Sequence, residues 1–175
     1  DHLYYEIERW CSTCSPDSAE IWVRVDTVKG NDATQTITMY WGNAEEASNS
    51  NGAAVFDTSN GFGGVWHLGE SSSDAADNYR DATGYANHGT GASSNAPAQA
   101  SGAVGNGASF DQTSAAQYID VAEQGSSLTS KTVTVTAWLE YNGFDCGYDY
   151  IMSGTPAAFD LAVNNSGDLA VEDSV

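Results

Sequence analysis

Short segments in which apolar and polar residues alternate make up much of this chain, and turns rich in Gly, Asn, Ser and Asp separate them. Alternation sends successive side chains to opposite faces of an extended strand. Segments of this kind, bounded by turn residues, are typical of an antiparallel β-sandwich. The pattern therefore predicts an all-β fold.

The beginning of the chain predicts three strands, at residues 3–10, 20–26 and 35–41. The residues expected on the inner faces of the second and third strands are Ile21, Val23, Val25, Ile37, Met39 and Trp41. Residues 44–51 contain good helix formers and predict a short helix. Residues 71–103 are rich in Ser, Ala, Asn and Gly and poor in bulky apolar residues, so we expect a long surface loop there.

Four motifs follow one another later in the chain: GVWHLGE at 64–70, DATGYANHGT at 81–90, GNGASFD with QYIDV at 105–111 and 117–121, and TVTVTAWLE at 132–140. Their order resembles the laminin-G-like, concanavalin A-type jelly-roll domain. The resemblance implies an antiparallel jelly-roll sandwich over residues 61–175. The segments 150–153, 159–163 and 168–171 resemble its middle hairpins, and the later strands would lie beyond Val175.

A second resemblance covers the beginning of the chain, where residues 5–10, 21–25, 40–43 and 51–57 carry the match. They resemble the C-terminal part of an uncharacterised bacterial domain that commonly precedes laminin-G-like jelly rolls in large secreted or surface proteins. The resemblance implies a partial accessory β-domain over residues 1–60 and an extracellular or cell-surface location. A jelly roll that ends early leaves unpaired strand edges, which a longer chain or neighbouring copies would cover.

The net charge limits the classes of partner that this chain is expected to bind. The chain has 175 residues, with 5 Lys and Arg against 24 Asp and Glu, and a formal net charge of −19. Such a surface repels phosphate backbones, so nucleic acid and anionic membranes are poor partners. No apolar run reaches the roughly 20 residues that a membrane-spanning helix needs.

The cysteines are Cys11, Cys14 and Cys146. The Cys-Ser-Thr-Cys spacing fits a redox dithiol, half of a zinc site, or a small disulfide in a turn. No helical periodicity flanks the motif and few other metal ligands are present, so we favour a Cys11–Cys14 disulfide. Cys146 is then the odd thiol, either buried or available to another chain.

The sequence contains no recognisable catalytic motif for a hydrolase, a metalloprotease or a nucleotide-binding enzyme. The carboxylate spacing of jelly-roll glycosidases is also absent. Glu6 and Glu8 share one face of a predicted strand, which we interpret as a solvated face. We therefore expect a protein that is not an enzyme.

Calcium is the metal that the loops suggest. The laminin-G-like pattern implies that Asp81, Asn87 and Asp111 lie near one another, and oxygen ligands on loops suit Ca²⁺. The alternative is that Asp81 and Asn87 cap turns. Gln112 and Gln117 depart from the Gly and Asp that relatives often carry, which removes one carboxylate.

Two histidines lie near these loops. His67 alternates with Trp66 along a strand, and we expect it to be packed and hydrogen-bonded. His88 occupies a turn position of the type that favours positive φ.

Tyr141, Phe144, Tyr148 and Tyr150 cluster near two glycines in the sequence. Exposed aromatic rings of this kind form platforms that bind glycans, and buried ones close the end of a sandwich. Trp22 and Tyr40, on outer strand faces, are expected to pack against the second module or a neighbour.

We expect a non-enzymatic extracellular module of a bacterial surface or secreted protein. Its role would be adhesion, or self-association as a structural subunit of a surface fibre. A carbohydrate-binding module attached to a larger adhesin or glycosidase is the alternative.

Overall fold

The computed structural model describes residues 2–111, 116–121, 133–142, 148–154, 160–164 and 166–172. Over these ranges the chain is mostly β and contains one short α-helix. The strands are β1 (Tyr5–Cys11), β2 (Ser18–Val23), β3 (Gly89–Gly91), β4 (Ala98–Ser101), β5 (Asn106–Ser109), β6 (Ile119–Val121), β7 (Tyr148–Ser153), β8 (Asp160–Asn164) and β9 (Leu169–Glu172). The helix α1 is Gly52–Val55, and a 3-10 helix spans Thr58–Asn60.

All described strand pairs are antiparallel, and they form several small sheets. β1 pairs with β2, β3 with β6, and β4 with β5, while β7, β8 and β9 form a three-stranded sheet in that order. The prediction of an all-β chain is confirmed at this level. Among the described helices, none has both the length and the apolar character needed to cross a membrane.

β1 and β2 form a hairpin at the positions of the first two predicted strands. Tyr5 lies opposite Val23, and the register shifts between Ile7 and Arg9. Near the loop, Arg9 donates two hydrogen bonds to Glu20, with a shortest distance of 2.6 Å. The bond from Arg9 lowers the pKa of the Glu20 carboxyl. Arg9 and Glu20 lie opposite each other in the hairpin, so this ion pair supports the register beside the turn.

The helix α1 lies later than the sequence predicted. Residues 44–46 form a turn, and the helix begins after Asn51, whose side chain accepts a hydrogen bond of 3.1 Å from the Ala54 N–H. Asn is a favoured N-cap because its side-chain oxygen satisfies an otherwise unpaired N–H of the first turn. The expectation of a helix over 44–51 is therefore wrong, since the capping residue stands at its end.

The most buried residues lie within the stretch that was expected to be surface loop. Tyr79 is 1% exposed, and Asn87 and Pro97 are also fully buried. Tyr79 exchanges backbone hydrogen bonds of 3.0 and 2.7 Å with Gly89, and its hydroxyl donates to the Pro97 carbonyl at 3.4 Å. Burial raises the pKa of the Tyr79 phenol. The prediction failed because small residues, which look like loop sequence, are what allow the backbone to close around one tyrosine.

Two segments with clear alternation are not strands in the structure. Residues 35–41 and 133–140, all of them described, have no strand partner, and Trp138 is 82% exposed. Ile37, Met39 and Trp41, predicted to face inward, are exposed. Alternation sets which face a side chain takes, but a strand exists only when a neighbouring backbone completes its hydrogen bonds. The predicted strands at these positions are therefore wrong for this structure.

The sheet β7–β8–β9 follows the three C-terminal segments seen in the sequence. Directly opposed residues share a face, so the pairs Leu161–Val171 and Val163–Leu169 make one face apolar. Leu169 and Val171 are 69% and 70% exposed, so the part of this face that β9 contributes is open to solvent.

The packing around Tyr79 predicts a specific cost for added volume. A Cβ at Gly91 would lie 2.7 Å from both the Ala96 Cβ and the Ser73 carbonyl oxygen. We expect Gly91→Ala to lower the free energy of unfolding by about 1–3 kcal/mol, the usual cost of overpacking. At Gly84 no described heavy atom lies within 4 Å of such a Cβ, so Gly84→Ala should change stability by less than about 0.5 kcal/mol. Urea unfolding of both variants measures the difference, and equal losses would contradict this account.

Candidate functional site

A histidine held between two carboxylates joins the β1–β2 hairpin to the segment that follows residue 60. Glu6 and Glu8 lie on β1 and reach His67. His67 Nε2 lies 3.0 Å from Glu6 Oε2, and Nδ1 lies 3.4 Å from Glu8 Oε2. We call Glu6, Glu8 and His67 the His67 cluster. A protonated imidazole donates from both nitrogens, so this arrangement suits the charged form.

The cluster is shielded from solvent. The side chains of His67, Glu6 and Glu8 are 18%, 16% and 8% exposed. The interpretation of Glu6 and Glu8 as a solvated face is wrong, because His67 and the residues around it cover them. The packed and hydrogen-bonded state expected for His67 is the one observed.

Aromatic rings complete the surroundings of His67. The Trp22 ring stacks on the imidazole, with centroids 5.8 Å apart and planes inclined by 22°, and Phe56 also lies at 5.8 Å. The Trp22 indole N–H donates to Glu8 Oε2 at 2.6 Å. Trp22 was expected to pack against the second module or a neighbour, and it packs on His67, which lies within the range 61–175 assigned to that module. Stacking on an aromatic face stabilises a cation, which again favours protonated His67.

Burial by itself lowers the pKa of His67, but the hydrogen bond to Glu6 and the negative charges of Glu8, Glu6 and Glu70 outweigh it. The net effect is a raised pKa. Glu70 accepts a hydrogen bond of 2.8 Å from the Arg80 N–H through Oε1. The cluster thus favours a protonated imidazole in a chain with little positive charge.

A groove lies beside the cluster, and Trp22 and Phe56, which pack on His67, also line the groove. Its volume is about 360 Å³, and its lining includes Trp22, Arg24, Val55, Phe56, Asn60 and Phe62. The rings of Phe56 and Phe62 meet edge to face at 5.4 Å. We call this groove the β2 groove. Its walls combine aromatic rings and valines with Arg24, Asp26 and Asn60, so they are nearly as polar as they are apolar and suit an occupant with both kinds of group.

Arg24 is the cation of the β2 groove, and it is already engaged. Its Nη1 donates to Asp57 Oδ2 at 3.1 Å and to the Ala54 carbonyl at 3.2 Å, and Asp26 lies 3.5 Å from Nε. Hydrogen bonds from Ser59, and then from Arg24, lower the pKa of Asp57. Because Asp57 and Asp26 neutralise the charge of Arg24, we do not expect the groove to prefer an anionic ligand.

Asp81 organises a buried turn. Its Oδ1 accepts from the N–H groups of Val65 and Thr83 at 2.9 Å each, and its Oδ2 accepts from the Thr83 hydroxyl at 2.8 Å and the Asn87 N–H at 3.0 Å. The same carboxylate therefore ties three backbone segments together. Asp81 therefore caps the turn at Thr83 through its side chain, as the turn-capping alternative described for it, whereas Asn87 joins this unit through its backbone N–H.

The rest of the predicted calcium site is less defined. Asp111 follows β5, and its N–H donates to Gln117 Oε1 at 2.5 Å. Among the described residues, no group of three or more His, Cys, Asp or Glu side chains is arranged to hold a metal ion. Calcium binding by Asp81, Asn87 and Asp111 stays a prediction.

His88 belongs to the Asp81 turn, but not through a left-handed backbone. Its Nδ1 accepts a hydrogen bond of 3.0 Å from the Asp81 N–H. The positive φ lies at Ala86, with a value of 55°, so the expectation for His88 was wrong. The Asn87 carbonyl, between them, accepts from the Trp66 indole at 2.9 Å.

The aromatic residues predicted to bind glycans lie partly on one sheet face. Tyr148 and Tyr150 are on β7, opposite Asn164 and Ala162 of β8, and both rings are exposed. Tyr141 is exposed as well, in a described segment without strand structure. Phe144 and Cys146 lie outside the described residues. Cys11, the last residue of β1, is joined by a disulfide to Cys14 in the β1–β2 loop, with Cα atoms 5.5 Å apart.

The His67 cluster is the feature that sequence reasoning missed. Glu6 and Glu8 stand two residues apart on β1, and His67 follows 61 residues after Glu6. The acidic pair was visible as one face of a strand. Only the pairing of the hairpin with the later segment brings the histidine to it.

The beginning of the chain matches a family model. Residues 1–69 match the model described as a domain of unknown function (DUF2341). This segment contains β1, β2, α1 and His67, so the cluster lies inside the matched region. Comparisons with curated proteins and with solved structures gave no significant match.

The raised pKa of His67 predicts a pH-dependent contribution to stability. Because the folded state binds this proton more tightly than the unfolded state, the stabilisation is complete below about pH 6.5, the ordinary pKa of histidine, and is lost as pH rises through the raised pKa. We expect His67→Gln to cost about 1.5–3 kcal/mol near pH 5.5, the range for hydrogen bonds to a charged group, and less near pH 8.5. Urea unfolding at both pH values measures the two differences.

The matched control is the Glu6→Gln, Glu8→Gln double variant, which keeps side-chain volume and hydrogen-bonding oxygens but removes both charges. In that background, His67→Gln should cost about the same at either pH. A pH-independent difference in the wild-type background would show that the histidine is not held as a cation.

Proposed function

We propose that this chain is a non-enzymatic module of a bacterial surface or secreted protein, and that it joins protein chains in adhesion or as a structural subunit of a surface fibre. Residues 61–175 would form a laminin-G-like jelly roll whose open edges are covered by neighbouring chains. Residues 1–60 would form the accessory β-domain in front of it.

One observation carries the proposal: strand-like apolar sequence lies in solvent. Residues 35–41 are exposed throughout, with Trp41 at 71%, and Trp138 lies in a second such segment. Leu169 and Val171 add an exposed apolar strand face. Apolar surface gains about 25 cal/mol for each Å² that is removed from water. Segments of this type therefore favour a protein partner that supplies both a backbone edge and an apolar surface.

The acidity of the chain supports the same role. A net charge of −19 makes isolated copies repel one another, which keeps a chain with exposed apolar segments in solution. Short-range strand pairing overcomes this repulsion only where the geometry is specific or where salt screens the charges. Secreted and surface environments often supply that salt.

The His67 cluster supports a structural rather than a catalytic role. Each imidazole nitrogen of His67 already faces a carboxylate, and Trp22 and Phe56 pack on the ring. A general base needs a free nitrogen within reach of a substrate proton. The cluster instead connects the β1–β2 hairpin to the following segment.

Self-association should depend on concentration and on salt. In about 0.5 M NaCl, where the screening length is about 4 Å, we expect sedimentation velocity to show larger species as concentration rises roughly a hundredfold. At low salt the repulsion between acidic surfaces should shift the same samples toward monomers. A chain that stays monomeric at every concentration and salt would contradict the proposal.

Glycan binding is the second candidate, and one face of the β7–β9 sheet favours it. Tyr148 and Tyr150 share this face with Asn164 through the β7–β8 register, and Asp160 lies opposite Glu172 on the adjoining strand. Flat aromatic rings beside hydrogen-bonding side chains suit a sugar ring. In this alternative the chain would be a carbohydrate-binding module attached to a larger adhesin or glycosidase.

A glycan array, read with and without Ca²⁺, tests the second candidate. If a glycan binds, Tyr150→Ala should weaken it at least about tenfold, because a stacked aromatic ring is a common energetic centre of a binding site. Tyr85→Ala removes an exposed ring outside this sheet and is the matched control. Equal losses in the two variants, or no binder on the array, would remove glycan binding as a function.

A further inference from the structure

The outer edge of β2 is open. In the β1–β2 hairpin the Arg24 N–H donates to the Tyr4 carbonyl at 3.0 Å, so Arg24 and Trp22 direct their backbone groups toward β1. In an antiparallel pair the residues between them direct theirs away. Val23 and Val25 therefore present backbone groups outward, and no hydrogen bond from a described residue outside the hairpin reaches either of them.

The outer edge of β1, in contrast, is covered by residues that follow the hairpin in the chain. The Asn51 N–H donates to the Tyr5 carbonyl, and the Ile7 N–H donates to the Ser50 hydroxyl, both at 2.8 Å. The hairpin thus has one protected edge and one free edge. The free edge runs along the β2 groove, since Val23 and Val25 line it.

The β2 groove offers space for side chains beside the open edge. Val55, Phe56 and Phe62 line it together with Val23 and Val25, and its volume is about 360 Å³. When a strand adds to a sheet edge, backbone hydrogen bonds give affinity, and pockets for alternate side chains give specificity. The groove supplies both elements.

Residues 35–41 have the composition of such a strand. The segment reads QTITMYW and carries no charged residue. Ile37, Met39 and Trp41 alternate with Thr36, Thr38 and Tyr40, which gives one apolar face. Because Asp26 and Asp57 lie at the groove, an uncharged segment avoids the repulsion that an acidic one would meet.

The same segment is presented outward from its own chain. Gln35 holds its start, because Nε2 donates to the Thr27 carbonyl at 2.6 Å and Oε1 accepts from the Lys29 N–H at 3.0 Å. Beyond this anchor, residues 36–41 are exposed and do not lie along Val23 and Val25 of their own hairpin. One chain therefore carries both an open acceptor edge and an exposed segment with the sequence pattern of a strand.

We propose that the β2 groove receives residues 35–41 of a second copy of this chain as an added strand next to Val23 and Val25. The inference rests on the proposed assembly function and names the interface. Donor and acceptor are different surfaces, so the contact is head to tail, and repetition produces an open chain of copies. Such a contact builds a fibre without any further component.

A complementation experiment tests this interface. Met39→Asp damages the donor strand, and Phe62→Asp places a charge in the acceptor groove. Each variant alone should weaken self-association at least about tenfold in sedimentation velocity. An equimolar mixture should form a dimer that grows no further, because only one intact donor and one intact acceptor remain.

Matched controls change exposed residues that the interface does not use. Tyr40→Thr alters the opposite face of the donor segment and keeps a strand-forming residue. Val28→Asp adds a charge at an exposed position outside the groove. Both should assemble like the wild type, and far-UV circular dichroism checks that all four variants are folded.

Two measurements on the wild-type chain test the interface without depending on the folding of any variant. A synthetic peptide of residues 33–43 should bind the wild-type chain and block its assembly. In the assembled protein, the amides of Val23 and Val25 should exchange more slowly with solvent than at low concentration. A peptide of residues 133–142, which carries the other exposed segment, should not compete.

The outcomes separate the interface from the function. If the wild type associates but neither variant nor the 33–43 peptide affects it, this interface is wrong and the assembly function stands. Competition by the 133–142 peptide alone would lead to the same conclusion. If the wild type stays monomeric with Val23 and Val25 protected, residues 35–41 fill the groove of their own chain, and both proposals fall. A monomer with unprotected amides would also overturn both.

Discussion

The contact between His67 and the two carboxylates of β1 is the interaction on which the described architecture depends. It crosses from the hairpin to the segment after residue 60, and Trp22 and Phe56 pack on the same imidazole. Partly buried charges are tolerated only when they are paired and hydrogen-bonded. The cluster therefore fixes the position of β1 and β2, and with them the position of the β2 groove.

The carboxylate of Asp81 is a second polar centre, and it connects the loops that follow residue 60. Asp81 accepts four hydrogen bonds, from Val65, from both the N–H and the hydroxyl of Thr83, and from Asn87. Next to it, Tyr79 is enclosed by backbone that small residues allow to approach. Because these loops contain few large apolar side chains, their stability comes from satisfied polar groups around one buried ring. The positions of Trp66 and His67 depend on that support.

Acidic and apolar residues are unevenly distributed over the surface. Acidic residues far outnumber basic ones in the composition. Residues 35–41 and part of β9 nevertheless present apolar side chains to solvent. Long-range repulsion and short-range attraction on one molecule select partners by geometry, since only a close and complementary contact gains enough to overcome the charge. This combination is the physical basis of the proposed assembly through strand edges.

The sequence by itself determined the all-β class, the hairpin of residues 3–26, the C-terminal strands and the acidic surface, because alternation, turn residues and charge are local properties. It also identified Cys11 and Cys14 as partners of a disulfide in a turn, and Asp81 as a turn-capping residue. Tertiary structure decided which alternating segments became strands: residues 20–23 found a partner in β1, and residues 35–41 did not. It also decided that Glu6 and Glu8 meet His67 rather than water. Both outcomes depend on contacts between residues far apart in the chain, and the period of a strand carries no information about which backbone or side chain will lie beside it.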